Sequence, residues 1–213
     1  METEVPMCTV CSHPHHPEDR CKVCGHRGKG KTYRLLTDGP PSQGLHFDFF
    51  DTRTPQNEYT GKWKFCEIIR RRIFVEEGGL PEAFEFDEYD APSRHALIMI
   101  GDAPVGCGRW RVEAAAAGAG GHPHAALVDR AAVLASHRGR GLARALLQGL
   151  LADIQAVSQE LSISIGAVVA ICPSNSGLQQ KLLDHSFVPN GTVFEYRGQN
   201  CIRMVLAPTT PVT

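Results

Sequence analysis

The chain has 213 residues, enough for one ordinary domain of about 150 residues with a small appendage, and too few for two large ones. Lysine and arginine number 22 against 23 aspartates and glutamates, and a net charge of -1 argues against a global electrostatic commitment to nucleic acid or an anionic membrane. Apolar runs such as Val168 to Ile171 fall far short of the roughly 20 residues that cross a bilayer, and Met1 to Pro6 lacks a secretory pattern, so an intracellular location, cytoplasmic or nuclear, is expected.

The chain opens on a cysteine-rich head. Cys8-x-x-Cys11 and Cys21-x-x-Cys24, nine residues apart, offer two thiolate-bearing turns able to face each other around one structural Zn2+. His13, His15, His16 or His26 could replace a cysteine, but four thiolates need the fewest assumptions. The segment has almost no aliphatic residues and cannot build a core of its own. Basic Arg20, Lys22, Arg27, Lys29 and Lys31 are nearly balanced by Glu2, Glu4, Glu18 and Asp19, and aromatics for base stacking are missing before Tyr33, so a structural or protein-binding role is expected rather than nucleic-acid recognition. The organisation reads as a zinc-binding module at 1–31, a linker at 32–44, the main domain at 45–208 and a tail at 209–213.

Tyr33 to Leu36 could form a strand, and Asp38-Gly39-Pro40-Pro41 breaks the chain. Leu45, Phe47 and Phe49 alternate with His46, Asp48 and Phe50 as a strand would. From Gly61 to Glu77, Phe65, Ile69 and Ile73 recur at helical spacing, and Gly78-Gly79-Leu80-Pro81 supplies a stop. An acidic loop follows, EFDEYDAPSR, then strands over Ala96 to Ile100 and Val105 to Val112, and a low-complexity loop over 114–124. A strand from Ala126 to Val133 leads into HRGRGLARALL and a long helix with Leu142, Leu146, Leu150, Ile154, Val157 and Leu161 on one face. Ala167 to Ile171 reads as a buried strand, Asn175 to His185 as a helix with Leu178 and Leu182 inward, and Phe187 to Tyr196 and Cys201 to Leu206 as a closing hairpin turned at Gly198. A long helix between two apolar strands requires a parallel pair, so the expected class is α/β, with a mixed, mostly antiparallel sheet flanked by helices.

HRGRGLARALL carries the chemistry. At a helix start the first backbone N–H groups have no intrahelical partner and the peptide dipoles sum to about +0.5 charge. Gly139 and Gly141 open the backbone to an anion, and Arg138, Arg140 and Arg144 supply compensating charge, the makings of a pyrophosphate cradle. Neither a Gly-x-Gly-x-x-Gly fingerprint nor a P-loop is present.

Asp129-Arg130-Ala131-Ala132-Val133-Leu134 followed by Arg138-x-x-Gly141-x-Ala143 resembles the acyl-CoA signature of the GNAT superfamily of N-acetyltransferases. Ile69 to Glu77 with Pro81, Glu82, Phe86 to Asp90 and His95, and Phe187, Gly191, Phe194, Gly198 and Met204 near the end, resemble the ElaA-like branch. The resemblance covers roughly residues 45 to 207. It implies acetyl-CoA as cosubstrate and an amine acceptor, with direct transfer in a ternary complex. Its cofactor would be held by Arg138, Gly139, Arg140, Gly141, Leu142, Ala143 and Arg144, with Ala132, Val133 and Leu134 on the strand that pairs with the pantetheine arm and Asn175 as a further hydrogen-bonding partner. Asn175 read alone is equally a helix cap.

Acyl transfer needs a route for the amine proton and gains from a donor to the departing sulfur. Asp129 stands where many relatives carry a glutamate, with Arg130 as its expected charge neighbour; an Asp-Arg pair on a strand also reads as a structural ion pair. Glu113 and His95 are further candidates, the latter equally a cap or core filler. Two positions depart from the family. Leu182 occupies the usual tyrosine position, and Asn200-Cys201 replaces Pro-His. Cys201 could serve as a thiol donor, although a strand cysteine is usually a small buried hydrophobe. The rival expectation is a catalytically degenerate acyl-CoA-binding scaffold that recruits a protein or nucleic-acid partner through the zinc module.

Overall fold

The computed structural model describes residues 44–114 and 122–207. Outside them lie Cys8, Cys11, Cys21 and Cys24 with the rest of the expected zinc module, the expected strand Tyr33 to Leu36, most of the low-complexity loop, and the tail.

Among the described residues the strands are β1 Leu45–Phe50, β2 Arg94–Ile100, β3 Ala103–Ala114, β4 His124–Val133, β5 Ile165–Pro173, β6 Val188–Pro189, β7 Phe194–Tyr196 and β8 Gln199–Leu206. The helices are α1 Gln56–Arg70, α2 Glu82–Glu85, α3 Leu142–Glu160 and α4 Gly177–Asp184. One sheet carries them, ordered β1-β2-β3-β4-β5-β8-β6, with β7 paired to the same edge of β8 as β6. All neighbours are antiparallel except β4 and β5, the parallel pair that the α3 crossover requires.

α3 covers one face, with Leu142, Leu146, Leu150, Ile154 and Val157 packed on Ala96, Ile98, Trp110, Ala126 and Val128. This is the expected stripe, except that Leu161, just past the helix end, is 47% exposed. α4 extends the same layer with Leu182 against Ala170, Cys172 and Phe187, while Leu178, expected inward, is exposed.

The opposite face is covered by α1, and here the apolar pattern misleads. The inward positions are Lys62, Cys66, Ile69 and Arg70, whereas Phe65 and Ile68 are exposed. Lys62 reaches Asp48 and Glu58, and Arg70 reaches Glu85 and Asp90, so these cations are buried because each has carboxylate partners. The helix also starts five residues earlier than expected, and over Arg71–Glu77 it widens into π-helix, a form that sequence periodicity does not register. The expected strand Phe187 to Tyr196 is split into β6 and β7, with Gly191 between them at φ +87°.

Candidate active site

β4 and β5 are hydrogen-bonded from His124/Ile165 to Val128/Ala170 and no further, although β4 runs on to Val133 and β5 to Pro173. The cause is local. Arg130 adopts φ +52°, in the left-handed region that a non-glycine residue rarely enters, and the β3–β4 register slips opposite it, between Cys107 and Arg109. Beyond Val128, β4 therefore keeps β3 on one side and, among the described residues, has no strand on the other. The result is an open slot inside the sheet.

The slot leads to the expected cradle. Ala132 and Val133 pair with Cys107 and Gly106, and the Leu134 amide donates to the Val105 carbonyl at 2.9 Å. After one 3-10 turn the chain reaches Gly139 at φ +77° and Gly141 at φ +79°, the latter being the N-cap of α3 with no side chain capping the helix. The amides of Leu142, Ala143 and Arg144 are thus available. A Cβ built on either glycine would project into open space, so these glycines are required by backbone conformation rather than by crowding. Arg140 and Arg144 are exposed.

Two cradle assignments need amending. The Leu142 side chain is core, so only its backbone faces the cradle. Arg138 donates from Nε to the Val133 carbonyl at 2.9 Å and from Nη2 to Glu77 at 2.7 Å, bracing the loop against the π-helical end of the first helix.

Asp129, immediately past the parting point, is not paired with Arg130. Its two oxygens receive Arg109 Nε and Nη2, both at 2.7 Å, and Arg111 Nη1 at 3.0 Å. Burial works against its charge, but the Arg109 hydrogen bonds and charge outweigh it and hold the carboxyl below its ordinary value. A carboxylate so engaged is an anchor and a poor base.

Arg109 is the hub of a larger cluster. It is 1% exposed, and its Nη1 also reaches Asp87 and Asp90, each at 2.6 Å. Asp90 shares Arg70 with Glu85, while Arg130 and Arg197 both converge on Asp87. Burial again opposes the charge on Asp87, and Arg109 outweighs it. The acidic loop is thereby riveted to the sheet. Arg109, Arg111 and Glu113 alternate along β3 in RWRVE, a charged face on a central strand that was the available signal for this cluster.

The remaining candidates are dispersed. Glu113 accepts from Arg111 at 2.7 Å but pairs with Ala125, at the opposite end of β4 from the cradle. His95 is 1% exposed, stacked on Phe50 and edge-on to Trp63, with Nε2 donating to the Asp90 carbonyl at 2.9 Å. It is a core residue, and it does not reach the slot. Cys201 is buried beside Pro173 at the open end of β5, and burial pushes its thiol up. Asn175 is exposed at φ +58°, and the cap of α4 is Ser176 rather than Asn175. Leu182 is buried in the α4 core, away from any hydroxyl role. A shallow hollow of about 520 Å³ lies beside α1, lined by Tyr59, Trp63, Phe86, Asp87, Glu88 and Asp90.

Burial lowers the His95 pKa to about 4, from an ordinary value of 6.5. Between those values the unfolded chain binds more protons than the folded one, so stability falls as pH drops from 6.5 towards 4. The loss is expected to reach at most about 3 kcal/mol, read as denaturant midpoints at pH 7 and pH 4. His95→Gln should flatten that slope; an unchanged slope would place its source elsewhere.

Residues 63–165 match the acetyltransferase (GNAT) family model. The matched stretch runs from within α1 to the first residue of β5. Among curated proteins the chain is similar to YjcF of Bacillus subtilis, named an uncharacterized N-acetyltransferase, with 34% identity over 82 residues, which are 38% of this chain and 52% of that protein. The chain thus spans about half the length of the curated relatives it matches. Among solved structures it resembles Escherichia coli ElaA, with 17% identity, a TM-score of 0.60 and coverage of 75% of this chain and 98% of the other. An acyl-CoA N-acyltransferase from Pseudomonas aeruginosa gives 17% identity, a TM-score of 0.60 and coverage of 76% and 99%. At that identity the likeness shows a shared fold alone, and it agrees with the mixed sheet and flanking helices described above.

Proposed function

We propose that this chain is an N-acetyltransferase that passes an acetyl group from acetyl-CoA to an amine by direct attack, with both substrates bound together. The observation that carries the reading is the slot between β4 and β5 opening beside an uncapped helix start whose two glycines have left-handed backbones. The amides from Gly139 to Arg144 and the charges of Arg140 and Arg144 suit the pyrophosphate. The free edge of β4 suits the amides of the pantetheine arm.

Acetyl-CoA supplies an activated thioester. The amine nitrogen bonds to the carbonyl carbon as the C–S bond breaks; the amine sheds one proton and the sulfur takes one up. α3 and α4 close one face of the sheet, so the acceptor approaches from the face of Asp129 and Arg109. Asp129 positions the two arginines, and the amine proton is left to solvent. Cys201, which borders the end of β5, is the proposed donor to sulfur on its position alone.

Acetyl-CoA binding by calorimetry, followed by thiol release against a panel of amines, tests the proposal. Both should be positive. Tight CoA binding without turnover of any amine would overturn the enzymatic reading.

We further propose that Cys8, Cys11, Cys21 and Cys24 hold one structural Zn2+ that offers a protein-binding surface, on the strength of the two matched Cys-x-x-Cys pairs. Elemental analysis should return one zinc per chain, lost in Cys21→Ser/Cys24→Ser; a metal-free wild-type chain would remove the module. Cys66, Cys107, Cys172 and Cys201 are free and buried, which suits a reducing intracellular compartment.

A further inference from the structure

We propose that the amine acceptor carries a carboxylate, received by Arg197 at the tip of the β7–β8 hairpin. The inference rests on the acyl-transfer reading, which sets where the amine must arrive. Since α3 and α4 fill the other face, an acceptor reaching the parting of β4 and β5 passes between the acidic loop and the closing hairpin. Asp87 and Arg197 meet across that gap at 2.6 Å, from positions 110 residues apart.

Donors crowd onto one carboxylate there. The Asp87 carboxylate is engaged by Arg109 Nη1 and Nη2, Arg130 Nη2, Arg197 Nη2 and the Tyr89 amide, five donors on a group with about four lone-pair sites. Meanwhile Arg197 Nη1 and Arg111 Nε are buried with no acceptor among the described residues. Each unmet buried donor is costly, and an arginine fork is shaped for a planar carboxylate.

Arg197 is also the member best able to change partner. Its side chain is 18% exposed, against 1% for Arg109, and it sits in a hairpin turn with both Arg197 and Gly198 at positive φ. Arg109 and Arg130 would hold Asp87 in place while Arg197 turns its fork to the incoming anion. A cationic acceptor gains nothing from these guanidiniums and would have to displace Arg197 without replacing its ion pair.

The test measures kcat/KM with acetyl-CoA for a set of α- and ω-amino acids, each beside its carboxamide, with putrescine and spermidine as the cationic arm. At least one amino acid should exceed its own amide by tenfold or more, and Arg197→Gln should erase that preference through KM while leaving CoA affinity within twofold. Equal use of acid and amide, better use of the polyamines, or a preference that survives Arg197→Gln would each overturn the proposal. So would turnover of the polyamines or carboxamides with no turnover of any amino acid, whereas CoA binding with no turnover of any amine would be a failure of the acyl-transfer reading itself. Failure of the wild-type protein to bind CoA would instead be a failure of the cofactor reading.

Discussion

Replacing Gly141 by glutamate is expected to weaken CoA binding at least a hundredfold, measured by calorimetry. Two effects act together. The residue holds φ +79° at the N-cap of α3, and a Cβ there enters open space on the side where the pyrophosphate would lie, so the new carboxylate occupies the anion's place. A like charge in a concavity lined by backbone amides competes for those amides and repels the ligand. The left-handed conformation adds roughly 1 kcal/mol of strain for any L side chain, which Gly141→Ala isolates. That variant should melt slightly lower and still bind CoA. Unchanged CoA affinity in Gly141→Glu would overturn the cradle assignment.

The second large effect is on stability. Arg109→Met should cost about 3–5 kcal/mol in denaturant titration, because it strands buried carboxylates rather than merely removing contacts. Asp87, Asp90 and Asp129 all take hydrogen bonds from this one guanidinium, two of them from the same Nη1. Arg109→Lys keeps the charge but loses the planar fork, and should fall between the two. A loss below about 1 kcal/mol for Arg109→Met would mean that Arg70, Arg111 and Arg130 already neutralise the site without it.

What could be read from residues alone follows a physical division. HRGRGLARALL was legible as a glycine turn opening a helix because its message is local: glycine backbone freedom and a helix start need no distant partner to be understood. The sheet was legible for a similar reason, since a long amphipathic helix between two apolar strands restricts the topology. The charged cluster was not. Arg109 meets Asp87, Asp90 and Asp129 through tertiary contacts, and sequence proximity suggested Arg130 for Asp129 when the strand bulge turns Arg130 towards Asp87 instead. His95 failed as a catalytic candidate because burial beneath the acidic loop cannot be inferred from one strand. The inward face of α1 was misread because buried Lys62 and Arg70 look like surface residues until their carboxylates are in view.

The riveting of the acidic loop bears on how the molecule assembles. Its links reach from Asp87 to Arg109, Arg130 and Arg197, so the full set closes only once β3, β4 and the final hairpin are in place. Contacts of such long sequence separation are entropically expensive to close and are late events on a folding route. The loop is then the last piece laid down, and by the same logic a first piece to lift: a cooperative patch that opens without unfolding the sheet beneath it. On the acyl-transfer proposal, the entrance used by the acceptor would thus be a patch that breathes as a unit while the sheet beneath it stays folded.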